Sequence, residues 1–220
     1  MIRMLAQWCG AVLLALAVPG ASAQPVSPAE VLLFETDHLA GLHAPAALVY
    51  AFHSNGEPAF DDTVQLDLAA KDGGTQASLQ FLSGDHRSDV PALDNARGNP
   101  VLLGFLEHDL AAMKRLTGGS VSYFRKRIRM ALANSAQVSA QPVTWQGRTV
   151  PGQLVRIQPY LDDPLHARFE RYTQKTYSFV LSDGVPGGIW QLGTSLASPA
   201  GGAAVPDATL TLVDATVGPR

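Results

Sequence analysis

Apolar residues in this chain alternate with a period of two on both sides of one central block, where the period changes to three and four. Leu48-Tyr50-Phe52, Val64-Leu66-Leu68 and Leu79-Phe81 alternate before the block; Leu154-Arg156, Tyr177-Phe179-Leu181, Trp190-Leu192 and Leu210-Leu212 follow it. A period of two places alternate side chains on one face of a strand, whereas a three-to-four period makes a stripe along a helix. Turn chemistry separates the runs: Ser54-Asn55-Gly56, Asp72-Gly73-Gly74, Ser83-Gly84-Asp85, Gln146-Gly147, Ser182-Asp183-Gly184 and Pro186-Gly187-Gly188. Strands and helices do not take regular turns, which argues against a doubly wound parallel sheet. The expected class is α+β: a curved antiparallel sheet, half-open and barrel-like, with a helical pair inserted near its middle.

In the central block, Asn99-Pro100 forms a cap and first-turn pair, and Leu103, Leu106, Leu110 and Met113 continue as an apolar stripe. Lys114 and Arg115 suit the last turn, and Thr117-Gly118-Gly119 ends it. Ser120 caps a second helix to about Asn134, with Phe124, Ile128, Ala131 and Leu132 on one face. Ser198 to Pro206 (SPAGGAAVP) reads as a loop, too little to divide the chain.

The N-terminus sets an expected compartment. Arg3 precedes the apolar run Cys9 to Val18, which Pro19 and Gly20 break before Ala21-Ser22-Ala23. This is the pattern of a secretory signal cleaved after Ala23, and the run is about half the ~20 residues a bilayer crossing needs. Residues 1–23 are thus read as a signal peptide and 24–220 as one α+β domain in the periplasm. Cys9 is the only cysteine, so the mature chain has none. Disulfides, thiol nucleophiles and thiolate metal sites are excluded there, and the fold must rest on its core, which a length of about 200 residues permits.

Charge is divided sharply along the sequence. From Gln24 to Asp109 there are 13 acidic and 3 basic residues, net −10; from Leu110 to Leu161 there are 8 basic and no acidic, net +8; the remainder has 6 acidic and 4 basic, net −2. Within the basic segment, Tyr123-Phe124-Arg125-Lys126-Arg127-Ile128-Arg129 sets cations beside aromatic and aliphatic side chains. That combination suits an anionic membrane surface, an acidic envelope protein or a polyanion; the same cations also serve to balance the acidic strands. Nucleic acid is a poor partner for an exported chain with a pI near 6.0 and no binding motif.

This order of elements, a signal peptide, an N-terminal helix from Pro28 to Leu42, strands, a helical insertion and further strands, resembles the periplasmic lipoprotein-carrier and sigma-regulator class of folds. The resemblance covers most of the chain as an order of elements. NPVLLGFLEHDL, YFRKRIRMAL and VPGGIWQL resemble stretches of secreted proteins of Proteobacteria. It implies a half-open sheet that holds an acyl chain or a lipidated partner, and it assigns no residue a role.

Catalytic patterns are scarce. There is no G-x-S-x-G elbow, H-E-x-x-H, phosphate loop or dinucleotide fingerprint. Asp85-His86-x-x-Asp89 in a loop and Glu107-His108-Asp109 on the first helix are the best acid–base groups; consecutive helical residues diverge by about 100°, so the second trio cannot face one ion and reads as a solvated helix face. Asp61-Asp62 lacks the repeated oxygen ligands of a calcium loop and reads as a strand-edge pair. The expectation is binding more than catalysis, with no metal or cofactor: an exported protein holding an apolar or lipid-bearing ligand against the sheet. Tyr123, Arg125, Lys126 and Arg129 on the basic helix, with Tyr160 and Trp190 at turn-flanked rims, are the expected contacts; the same Pro-Gly turns also suit aromatics that pack in the core. The alternatives are an accessory that docks an acidic envelope partner, and an envelope hydrolase using Asp85, His86, Glu107 or Asp109.

Overall fold

The computed structural model describes residues 25–56, 58–198 and 202–218. The signal peptide assigned to residues 1–23 lies outside them. The α+β expectation holds: a large antiparallel sheet, not closed into a barrel, carries a helical pair between its two halves.

The first half is β1 (Ala46–Ser54), β2 (Phe60–Lys71) and β3 (Gly74–Phe81), with the two-residue strands β4 (Ser88–Asp89) and β5 (Leu93–Asp94) along the outer edge of β3. After the helices come β6 (Gln137–Ala140), the β7–β8 hairpin (Val143–Trp145, Arg148–Val150), β9 (Gln153–Ile157), β10 (Thr176–Leu181), β11 (Ile189–Leu196) and β12 (Val205–Val217). The long path runs β3-β2-β1-β12-β11-β10-β9-β6, and the β7–β8 hairpin forms its own small sheet. The last strand pairs with β1 on one side and β11 on the other, so both halves form one continuous sheet.

Local chemistry accounts for the hairpin register. Asp72 and Gly73 have φ of 49° and 78°, the positive pair of a two-residue turn, and they set Lys71 opposite Gly74. That register pairs Leu66 with Leu79 and Val64 with Phe81 on the inner face. In β1 the alternation buries Ala46, Leu48, Tyr50 and Phe52 in turn. Full burial of a large apolar side chain contributes about 1.5–3 kcal/mol each, so a one-residue slip would reverse the whole inner row at great cost.

The helices cover this inner face. α1 (Pro28–Glu30) begins with a capping box in which Ser27 and Glu30 exchange side-chain-to-backbone bonds, and it continues as a π-turn (Val31–Glu35). The expected helix to Leu42 therefore stops early. Thr36 is extended and His38 turns inward, its Nε2 bonded to the Leu32 carbonyl at 2.9 Å. α2 (Pro100–Thr117) and α3 (Val121–Asn134) match the sequence expectation, capped by Asn99 and Ser120, with Gly118 in the left-handed C-terminal position at φ 70°. α2 lies over β2, β3 and β11, and α3 lies over β9. Gly104 makes the first contact possible: a Cβ there would sit 2.6 Å from the Phe81 ring.

Candidate functional site

Where α2 crosses the end of the sheet, a cleft of about 750 Å³ opens. Its apolar walls are Phe52 and Phe60 from β1 and β2, and Ala111, Ala112 and Leu116 from the solvent side of α2. Phe60 is extended by His86, whose ring stacks on it at 3.9 Å and 6°. His108 meets the edge of Phe52 at 5.4 Å. Burial lowers the pKa of His108, more than neighbouring Asp109 raises it, so its imidazole is neutral at pH 7.

The floor is ionic and buried. Lys175, 1% exposed, donates from Nζ to Asp109 Oδ1 at 2.6 Å and to Asp207 Oδ2 at 2.8 Å. Tyr177 donates to the other oxygen of Asp109 at 2.5 Å, Tyr160 reaches the Tyr177 hydroxyl at 2.9 Å, and Thr194 donates to Asp207 at 3.1 Å. The set joins α2, β10, β11, β12 and the segment after β9. Burial alone would depress the Lys175 ammonium, but the two carboxylates outweigh it and hold its pKa above the ordinary lysine value. Tyr177 is pushed well above the usual phenol range, first by burial and then by the charge of Asp109, so it stays a donor.

Three arginines stand at the rim. Arg115, in the last turn of α2, forms no ion pair among the described residues. The Arg171 guanidinium lies over the Tyr172 ring at 5.1 Å, and Arg87 pairs with Asp89 at 3.3 Å. The cleft thus has an aromatic and aliphatic body, a satisfied floor and an entrance where Arg115 and Arg171 stand with Asp85 and the Arg87–Asp89 pair. Its volume falls within the range of small-molecule pockets.

The residues expected from sequence are distributed differently. Tyr123 is half-buried and donates to Asp163 at 2.7 Å, so it serves the packing of α3. Asp163 is itself buried and lies 2.7 Å from Arg127 Nε, although the aligned N–H bond of that nitrogen goes to the Pro159 carbonyl. Arg125 is held by Glu107 of α2 in a two-pronged bond, Nε donating to Oε1 at 3.1 Å and Nη2 to Oε2 at 2.7 Å. Lys126 and Arg129 are exposed. Tyr160 is fully buried behind the cleft floor, and Trp190 is a half-buried residue of β11 packed against the core. None of these six lines the cleft.

Asp109 departs most from expectation. The sequence places it with Glu107 and His108 on a solvated face, yet it is 6% exposed and carries the floor. The 100° step between helical residues separates the trio: Glu107 faces α3, His108 the cleft wall, and Asp109 the core. Asp61 bonds His53 at 2.6 Å, while Asp62 accepts the Ser83 N–H and hydroxyl, as a strand-edge pair should. The missed residues, Lys175 and Asp207, lie 66 and 98 positions after Asp109 in the chain and carried no local signal.

In comparisons with known proteins, no family model and no curated protein matches this chain.

Proposed function

We propose that this chain is an exported binding protein for a single-chain anionic amphiphile, an acyl chain bearing a carboxylate or phosphate head. The apolar part enters between Phe52, Phe60 and Leu116, and the head stays at Arg115 and Arg171. One observation carries this reading: the cleft at the end of α2 joins apolar walls to an entrance that holds Arg115 and Arg171. The proposal keeps the acyl ligand implied by the carrier-like order of elements and moves its headgroup contacts from α3 to the end of α2. Export after cleavage at Ala23 belongs to the same reading, and an intact mass equal to residues 24–220 would support it.

The hydrolase alternative has less support. Of its four groups, Asp109 gives both oxygens to Lys175 and Tyr177 and Glu107 is tied to Arg125, which leaves Asp85 and His86 at the cleft mouth as its only acid and base. Docking of an acidic partner on α3 keeps Lys126 and Arg129 and loses Arg125 to Glu107.

Calorimetric titration with decanoate, and with decanol as the uncharged counterpart, tests the proposal. Decanoate should bind more tightly than decanol, and Arg115→Glu should weaken decanoate by about tenfold while Arg125→Glu leaves it unchanged, because only the former reverses a charge at the entrance. Equal binding of both ligands to the two variants, or no binding to the native chain, would overturn it.

A further inference from the structure

A second concavity, of about 450 Å³, lies on the opposite, helical side of α2 from the cleft walls and shares none of their residues. Its floor is Leu106, Leu110, Ile128 and Leu132, all buried. Its upper walls are Phe34 and Leu103, which remain 44% and 53% exposed, and Val26 at one end is 52% exposed. Large apolar side chains left this open, side by side in a groove between helices, mark an interaction surface.

The walls differ in charge. The Val26–Glu35 segment contributes Glu30 and Glu35, and α3 contributes Arg125 and Arg129. Glu30 and Arg125 are engaged, the first by the Ser27 cap and the second by Glu107, whereas Glu35 and Arg129 form no ion pair among the described residues. The groove therefore offers one unpaired anion and one unpaired cation on different walls. An anionic lipid surface presents one sign of charge; a peptide helix presents both at fixed positions along its two edges.

We infer that this groove docks an amphipathic helix of a partner protein, whose apolar i, i+3, i+4, i+7 stripe packs between Phe34 and Leu103 and whose flanks carry a cation toward Glu35 and an anion toward Arg129. Helix-in-groove recognition uses this combination of a buried stripe and charged edges. The segment that precedes Asp37 is fixed as a wall by Ser27, whose hydroxyl donates to the Leu132 carbonyl of α3 at 2.9 Å. The docking site is separate from the cleft, so its failure leaves the amphiphile reading standing, and the reverse.

Fluorescence anisotropy with three labelled 18-residue synthetic helices sharing one leucine stripe tests this inference: one flanked by Lys on one edge and Glu on the other, one by Lys on both edges, one by Glu on both. The mixed helix should bind the native protein about tenfold more tightly than either single-sign helix, since each of those sets a like charge against one wall. Glu35→Lys should transfer the preference to the Glu-flanked helix, Arg129→Glu to the Lys-flanked one, and Leu103→Asp should abolish all three while its far-UV circular dichroism and cooperative urea unfolding show that it folds. Equal affinity for the three helices, preferences unmoved by the charge reversals, or binding to phosphatidylglycerol vesicles in preference to every helix would overturn it.

Discussion

Two charge clusters in this molecule differ in almost every respect. Arg125, Lys126 and Arg129 crowd five positions of α3, are exposed, and draw one partner from α2, Glu107. Asp109, Lys175 and Asp207 come from three distant parts of the chain, and the lysine between them is buried. Arg125, Lys126 and Arg129 point outward from α3 and stay solvated, where pairing contributes about 0–1 kcal/mol. Charges collected by tertiary structure lose their water and depend on one another, so removal of one partner is severe. The conspicuous cluster is the weaker one energetically, and the quiet one forms the floor of the cleft.

The largest expected effect breaks the buried cluster. Lys175→Met leaves Asp109 and Asp207 without their cation and should lower stability by about 3–5 kcal/mol, read as the midpoint of urea unfolding. Adding Asp109→Asn should recover part of that loss, whereas additive losses would show that the lysine's packing, not its charge, is what matters. Next is Asn99→Ala. Asn99 caps α2 through Val101 N–H and also donates from Nδ2 to the Tyr50 hydroxyl at 3.0 Å and the Gly187 carbonyl at 2.8 Å. Loss of the cap and of buried partners should remove about 2–3 kcal/mol.

A smaller effect comes from His108. Its folded pKa lies below the unfolded value of 6.5, so the unfolded chain binds the proton more readily. Its contribution is intact above pH 6.5 and is lost as pH falls through the interval down to the depressed folded value. The stability difference between the native chain and His108→Gln, followed by thermal unfolding from pH 7.5 to 5, should shift against the native chain on acidification; a difference independent of pH would contradict this. Arg125→Ala is the smallest. Both partners of that pair are about half exposed, 48% and 53%, and its loss should change stability by no more than about 0.5 kcal/mol. A loss comparable to that of Lys175→Met would erase the distinction between the two clusters.

The sheet and both long helices were legible because their signals are local. Alternation names the inner row of β1, Asp72-Gly73 names a hairpin, and Asn99 and Ser120 name helix starts. The early end of the N-terminal helix was not, because it depends on His38, whose two ring nitrogens bond the Leu32 carbonyl and the Asn99 N–H at 2.9 and 3.3 Å. The cleft was hidden for the same reason. Phe52, Leu116 and Arg171 become neighbours through the insertion of β12 between β1 and β11, a pairing that no stretch of sequence announces. Tyr160 shows what turn chemistry leaves open: its flanking prolines suit a rim or a turn that buries the aromatic, and the structure takes the second, with the ring packed edge-on to Phe124, Phe169 and Tyr177.

The most direct test of the cleft as the ligand site is photo-crosslinking with a decanoic acid that carries a diazirine at its tail, followed by peptide mass spectrometry of the native protein. Adducts should fall on the peptides that contain Phe52, Phe60 and Ala111 to Leu116, and unlabelled decanoate should compete them away. Adducts confined to α3, or labelling that decanoate does not displace, would contradict the assignment.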